Sequence, residues 1–478
     1  MLSDVKYNKT KIVATLGPAT SNYKTLKEII LAGVDTCRIN FSHGSYEDHT
    51  KAIELVDQVN KELGTSVSVL GDLQGPKLRI GQMPEEGVFY EKGDVVTITT
   101  KEQVGDKNTL YVNYEQLPTE IQVDEWVLLD DGKVSFKVIE KIDETQFKVK
   151  VTTGGKLTSN KGFNLPSTNL SLPSMTEKDF QDLNYALEHH IAWVALSFVR
   201  TADEIVKLKK YILDRGKHTN VIAKIEKPQA VENIDAIIAA TDGIMVARGD
   251  LGVEMPMEVV PMIQKSIVDK CIRASTPVII ATQMMESMIE NPRPTRAEAN
   301  DVANAVMDGA DAVMLSAETS VGKYPLETVE SVERILGSTE LGWDIYYKGE
   351  KPNPKSETFL SDEICFTAVR MSDHINAKAI VSLTYSGYTA FKIASFRPNC
   401  DVFIFTSNKR IFRMLSLIWN VRVFYYDKTE STDQTMKDVL EILKKEGLVN
   451  RGDLVVHTAS MPILDKLRTN ALKISEVK

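Results

Sequence analysis

Nearly unbroken apolar runs recur along residues 11–317, most of them separated by stretches in which apolar residues return every three or four positions. The runs are KIVATL (11–16), VDTCRIN (34–40), VSVLGDL (67–73), IAWVALSFV (191–199), VIAKIE (221–226), GIMVAR (243–248), PVIIAT (277–282) and AVMLSA (312–317). Short runs of continuous apolar character mark strands buried on both faces, as in a parallel sheet. Intervening segments such as SYEDHTKAIELVDQVNKELG and EIVKLKKYILDRG carry the helical period. Repeated strand–helix units predict an α/β fold built on a (β/α)8 TIM barrel, whose active site lies at the carboxyl ends of the strands. The polar residues that interrupt the runs fall at those ends: Arg38, Asn40, Asp72, Lys224, Glu226, Asp250 and Thr282.

Residues 75–166 break this rhythm. Short alternating segments (GDVVTITT, EWVLLDDGKVSFKVIE, QFKVKVTTGG) predict a small β-barrel domain inserted after the third strand. Its place on the active-site face suits a lid that excludes water. The TIM-barrel catalytic domain is then discontinuous, 1–74 and 167–348. A polar linker, GEKPNPKSE, precedes a C-terminal α/β domain over 358–478.

Length and charge narrow the classes. The 478 residues have room for two or three cores. A net charge of −9 argues against a nucleic-acid binder. No apolar run approaches the roughly 20 residues needed to span a bilayer, and the N-terminal segment lacks a secretory apolar core, so the expectation is a cytoplasmic protein without a membrane partner. Cys37, Cys271, Cys365 and Cys400 are scattered and read as reduced thiols. His43 and His49 lack metal spacing, and neither a Ser-His-Asp arrangement nor a GxxxxGK[ST] loop is evident.

Lys224 and Glu226 are two apart in a strand, so both side chains leave on one face. Asp250 follows the next strand, in an Arg-Gly-Asp turn. Two carboxylates and an ammonium at neighbouring strand ends suit a divalent cation with an anionic substrate, because a hard cation such as Mg²⁺ takes few protein ligands plus substrate oxygens. A lone Lys-x-Glu is more often a strand-end salt bridge; its place at the barrel rim favours the functional reading. Arg38, Asn40 and Ser42 alternate along RINFSHG and share a face if that strand continues. Arg38 suits a phosphate. Asp72 either supports a cation or orients Arg38. Lys77 and Arg79 add positive charge at the hinge of the insertion, where a nucleotide's phosphates would lie. Thr282 brings a hydroxyl to the mouth, with a capping role as the alternative. Arg293 and Arg296 read as structural.

Together these segments resemble pyruvate kinase. The matching stretches are KIVATLGPAT, CRINFSHG, DLQGPKLRIG, KGFNLP, IAKIEKPQAVENID, IMVARGDLGVE, ATQMMESM, PRPTRAEANDVANAV and LSAETSVGKYP. The resemblance implies glycolytic phosphoryl transfer from phosphoenolpyruvate to ADP, then protonation of the enolate to pyruvate. By the same resemblance Glu226 and Asp250 bind Mg²⁺ (Mn²⁺ as a substitute). Lys224 stabilises the phosphoryl group and the enolate, and Arg38 contacts the phosphate. Gly249, Asp250 and Thr282 hold the substrate carboxylate, Thr282 also placing the proton donor. Asn40, Phe41, Ser42, His43, Arg79 and Lys161 face the nucleotide, and the chain forms a homotetramer. The other readings are a different Mg²⁺-dependent barrel acting on an enolate, and a silent metabolite-binding protein.

Two departures refine the expectation. Potassium-dependent relatives coordinate that ion around the positions of Asn40, Ser42, Asp72 and Leu73, with Thr in place of Leu73 and Glu in place of Lys77. The Leu73 and Lys77 pattern resembles the potassium-independent branch, where a tethered ammonium replaces the ion. The C-terminal domain resembles the family's effector domain, its TYSGYT loop (384–389) being suited to cradle a phosphorylated effector. Bulky Tyr385 and Tyr388, and a final loop TASMPILDKLRTNALKI that lacks glycine, argue against fructose 1,6-bisphosphate and for another phosphorylated effector or none.

Overall fold

A computed structural model describes residues 5–168, 170–347, 349–428, 430–462 and 467–478. Residues 463–466, within the final loop discussed above, lie outside the described residues, as do 1–4, 169 and 348 of the expected barrel segments and 429 of the expected C-terminal domain.

All eight predicted barrel strands form: Lys11–Thr15, Val34–Asn40, Ser68–Asp72, Trp193–Leu196, Asn220–Ile225, Gly243–Ala247, Val278–Ala281 and Ala312–Leu315. They pair in parallel, the eighth closing onto the first, with Lys11 opposite Ala312. Their side chains are almost wholly buried because one face fills the lumen and the other meets the helices. Several of those helices start on capping boxes. Ser45 and Asp48 cap Tyr46–Leu63, and Thr295 and Glu298 cap Arg296–Asp308.

The lumen does not end at the floor of the barrel. Inward residues such as Val13, Leu70, Ile222 and Met245 belong to one apolar cluster with Ile380, Ile393 and Ile404 of the C-terminal domain. Trp193 bridges the two, its indole N–H donating to the Met414 carbonyl at 3.1 Å. The C-terminal sheet has strand order Val421–Tyr425, Asp401–Thr406, Ala379–Leu383, Leu454–Ala459, Ala471–Glu476, the last antiparallel.

Between the third and fourth barrel strands lies a curled six-stranded sheet with an additional two-stranded pair. Residues 79 and 80 bridge both of its edges, Arg79 to Gly162 and Ile80 to Val112. The sheet therefore curls nearly to closure around its own core of Val96, Ile98, Phe136, Phe147 and Val149.

Three local expectations are corrected. The second strand stops at Asn40 because the Asn40 side-chain oxygen accepts the Ser42 amide (3.1 Å) and turns the chain. Ser42 therefore does not continue the alternation of Arg38 and Asn40. Residues 248–254 form a short helix, Arg248–Glu254, in place of a turn. The fourth strand ends at Leu196, and Ser197 and Phe198 leave the sheet with Phe198 at φ +54°.

Candidate active site at the carboxyl mouth of the barrel

Asp72, at the end of the third strand and 1% exposed, is the hinge of the cluster. Its Oδ2 accepts from Arg38 Nε at 2.8 Å and Nη2 at 2.7 Å, while Oδ1 lies 3.2 Å from Lys224 Nζ. Of the two roles open to Asp72, the geometry gives the orienting one, and extends it to Lys224. A second bond fixes Arg38. Thr15 Oγ1 donates to the Leu315 carbonyl (2.7 Å), so its lone pair is left to accept from Arg38 Nη1 at 2.9 Å.

Lys224 does share its face with Glu226, and their charged atoms are 3.0 Å apart. The third partner of the ammonium is the Ser197 hydroxyl at 2.7 Å. Burial pulls the lysine pKa down, but the Asp72 and Glu226 carboxylates outweigh it and hold it above the ordinary lysine value. For Asp72 burial pushes the carboxyl up, yet Lys224 and Arg38 bring it below its usual range. Glu226 moves the other way: burial raises it, and Asp250 raises it further against the pull of Lys224. Mutual repulsion between the carboxylates of Glu226 and Asp250 is what a bound cation would relieve. Among the described residues no cluster of three or more acidic, His or Cys ligands occurs. Two hard oxygen donors, few enough to leave most of a cation's coordination positions to substrate oxygens, fit Mg²⁺ or Mn²⁺ better than zinc.

Thr282 follows the seventh strand at φ +67°, an unfavourable backbone state for a β-branched residue. In that state its Oγ1 donates to the Ala281 carbonyl (2.6 Å) and accepts the Gly249 amide (2.8 Å), tying the mouth to the helix that carries Asp250. Arg248 braces the same junction, donating to the Thr282 carbonyl at 2.9 Å and pairing with Asp301. Lys77, on the connector into the insertion, places Nζ 3.4 Å from Asp250 Oδ1. The ammonium thus stands beside the acidic pair.

The remaining candidates are spread more widely. His43 is exposed and Asn40 half-buried at the end of the second strand. The Phe41 ring is 2% exposed, packed edge-on to His49 and Tyr185, so that side chain belongs to the core and not to a nucleotide surface. Arg79 donates to the Asn160 carbonyl (3.0 Å) and Lys161 pairs with Asp130 (2.8 Å), both within the insertion. Leu73 is buried, and its carbonyl accepts from Ser197 at 2.7 Å. Thr15 and Ser197 carry no motif of their own; their signal is a hydroxyl in an otherwise apolar strand.

In the C-terminal domain, Thr384, Tyr385, Ser386, Tyr388, Lys428 and Arg468 line a cavity of about 600 Å³. It opens at the start of the helix Tyr388–Ser395, which Gly387 enters at φ +86°.

A closed parallel barrel with paired cations and carboxylates at its carboxyl mouth defines a barrel enzyme for an anionic substrate. The family models described as pyruvate kinase, barrel domain and pyruvate kinase, alpha/beta domain match residues 7–329 and 362–475. Pyruvate kinase 2 of Synechocystis is 40% identical over 478 residues, covering 98% of this chain and 79% of that protein. A pyruvate kinase of Staphylococcus aureus is 38% identical over 468 residues, covering 98% and 80%. The crystal structure of a pyruvate kinase from Cryptosporidium parvum superposes with a TM-score of 0.92 at 32% identity, over 100% of this chain and 97% of that one. The chain belongs to the pyruvate kinase family, enzymes that transfer the phosphoryl group of phosphoenolpyruvate to ADP. No helix among the described residues is long and apolar enough to cross a membrane.

Proposed function

We propose that the transfer takes place between Arg38, Lys224 and Thr282, with Glu226 and Asp250 as the protein ligands of a divalent cation. The observation that carries this is the Asp72-centred network, in which one buried carboxylate aims two largely buried cations into the same mouth. Mg²⁺ or Mn²⁺, when bound, would neutralise phosphoryl and enolate oxygens. Arg38, held by Asp72 and Thr15, turns its remaining N–H groups to the phosphoryl oxygens. Lys224 offsets charge as it passes from the bridging oxygen to the departing group and then to the enolate. The Gly249 and Asp250 backbone and Thr282 hold the carboxylate, Thr282 placing the donor that protonates the enolate carbon. Asn40, Ser42, His43, Arg79 and Lys161 face the nucleotide, for Ser42 in spite of the turn. The insertion 75–166 closes over them.

The site works without potassium in this reading. Leu73 offers no side-chain oxygen, its carbonyl is engaged by Ser197, and the Lys77 ammonium supplies a fixed positive charge at Asp250. The wider reading is a cytoplasmic homotetramer whose C-terminal cavity takes a phosphorylated effector or none.

Pyruvate formation from phosphoenolpyruvate, ADP and Mg²⁺ tests both parts, in potassium-free and potassium-containing buffers of equal ionic strength. Equal rates are expected. Turnover only with potassium keeps the enzyme and discards the Lys77 argument. No turnover from folded protein turns the reading towards a silent metabolite-binding protein. Lys224→Met is expected to abolish transfer; near-normal activity refutes its role.

A further inference from the structure

We propose that Ser197 is a positioning residue for Lys224, and that the turn it begins sets both functional side chains at the end of the fifth strand, Lys224 within it and Glu226 just beyond. The inference rests on the assignment of Lys224 to the transfer step. Ser197 is 1% exposed and has a single proton, which goes to the Leu73 carbonyl at 2.7 Å. Its oxygen therefore faces the Lys224 ammonium as an acceptor only, also at 2.7 Å. The next residue completes the arrangement: the Phe198 amide donates to Glu226 Oε2 at 2.7 Å. One sharp turn thus holds Lys224 by a side chain and Glu226 by a backbone N–H.

The turn is built for the task. Phe198 has φ +54°, a costly state for a bulky residue, found where the surroundings over-determine the backbone. Gly75 makes room for it, since a Cβ there would lie 3.0 Å from both Ser197 Cβ and Phe198 Cδ2. The ammonium hydrogen-bonds Ser197 and is ion-paired with Asp72 at 3.2 Å and Glu226 at 3.0 Å. To reach substrate, Lys224 must release one of them. Glu226 is the partner with other work, as its second oxygen is already bound by Phe198. Ser197 and Asp72 remain as the seat that keeps the ammonium aimed.

The test is Ser197→Ala, with Ser197→Thr as the variant that retains the hydroxyl. Loss of the seat is expected to lower kcat about 10–100-fold, the scale of a misplacement near 1 Å, with KM for both substrates within about twofold of the wild type. Ser197→Thr should recover most of kcat. Three results overturn the proposal: kcat of the folded Ser197→Ala protein within about twofold of wild type, a loss carried entirely by KM, or a folded Ser197→Thr protein as slow as Ser197→Ala. If the threonine variant does not fold, thermal midpoints of Ser197→Ala, Lys224→Met and the double variant decide instead. Non-additive shifts are expected, and strictly additive ones refute action through Lys224. Near-normal turnover by Lys224→Met removes the assignment on which the inference rests. An inactive Lys224→Met beside a normal Ser197→Ala removes the Ser197 role alone.

Discussion

Replacing Asp72 by Asn separates the electrostatic part of the site from its shape. Asn is nearly isosteric with Asp but carries no charge, so Arg38 and Lys224 would be left facing each other. The three side chains are 10%, 1% and 12% exposed for Arg38, Asp72 and Lys224, too little for water to screen the repulsion. Removing one member of a buried ion pair costs about 3–5 kcal/mol because the remaining charge is uncompensated. For a domain of barrel size, about 2–4 °C per kcal/mol gives a midpoint lowered by roughly 6–20 °C. The pH dependence has a definite sign. The folded pKa of Asp72 lies below its ordinary value, so its contribution is complete above the unfolded pKa near 4 and is lost as pH falls through the folded pKa. The penalty of Asp72→Asn should therefore be flat from about pH 6 to 8. Thermal unfolding followed by circular dichroism at those pH values, with kcat measured on the same samples, checks both claims. A midpoint within about 2 °C of wild type, far below the expected shift, would falsify the argument that this carboxylate holds the two cations. So would full turnover.

Two further predictions concern the C-terminal domain. Arg397 is buried against the floor of the barrel, pairing with Asp311 at 3.0 Å and donating to the Gly309 carbonyl at 2.6 Å. Arg397→Met leaves Asp311 buried without its partner, a cost of about 3–5 kcal/mol; calorimetry should show the C-terminal domain separating from the barrel as an earlier transition, and a single unshifted endotherm contradicts this. His457 is fully buried with neither ring nitrogen hydrogen-bonded, and burial, helped by Lys473, lowers its pKa to about 4. The unfolded chain binds a proton that the native state refuses between that value and about 6.5, so stability declines as pH falls through this window, by up to about 3 kcal/mol. His457→Leu should flatten the decline and raise the midpoint at pH 5; an unchanged pH profile rules out His457 as its source.

What the chain discloses by itself follows from the range of the interactions concerned. A strand buried on both faces must be apolar along its length, so all eight barrel strands could be read from composition within a few residues, and Lys224, Glu226 and Asp250 stood out as charges where that rule is broken. Phe41 and Ser42 show the limit of local pattern. Alternation predicts one face for Arg38, Asn40 and Ser42, but a single hydrogen bond from the Ser42 amide to the Asn40 side chain ends the strand and sends Phe41 into an aromatic cluster with Tyr185. Hydroxyl groups are less legible still. Thr15 and Ser197 look alike in sequence to any small polar residue tolerated in a core. Their chemistry depends on where one proton points, and the carbonyls that decide it belong to Leu315, 300 positions away from Thr15, and Leu73, 124 positions away from Ser197. Closure of the barrel brings those carbonyls to the rim. The acceptor direction left over on each hydroxyl then aims a cation, so the fold determines the role of residues whose type alone says almost nothing.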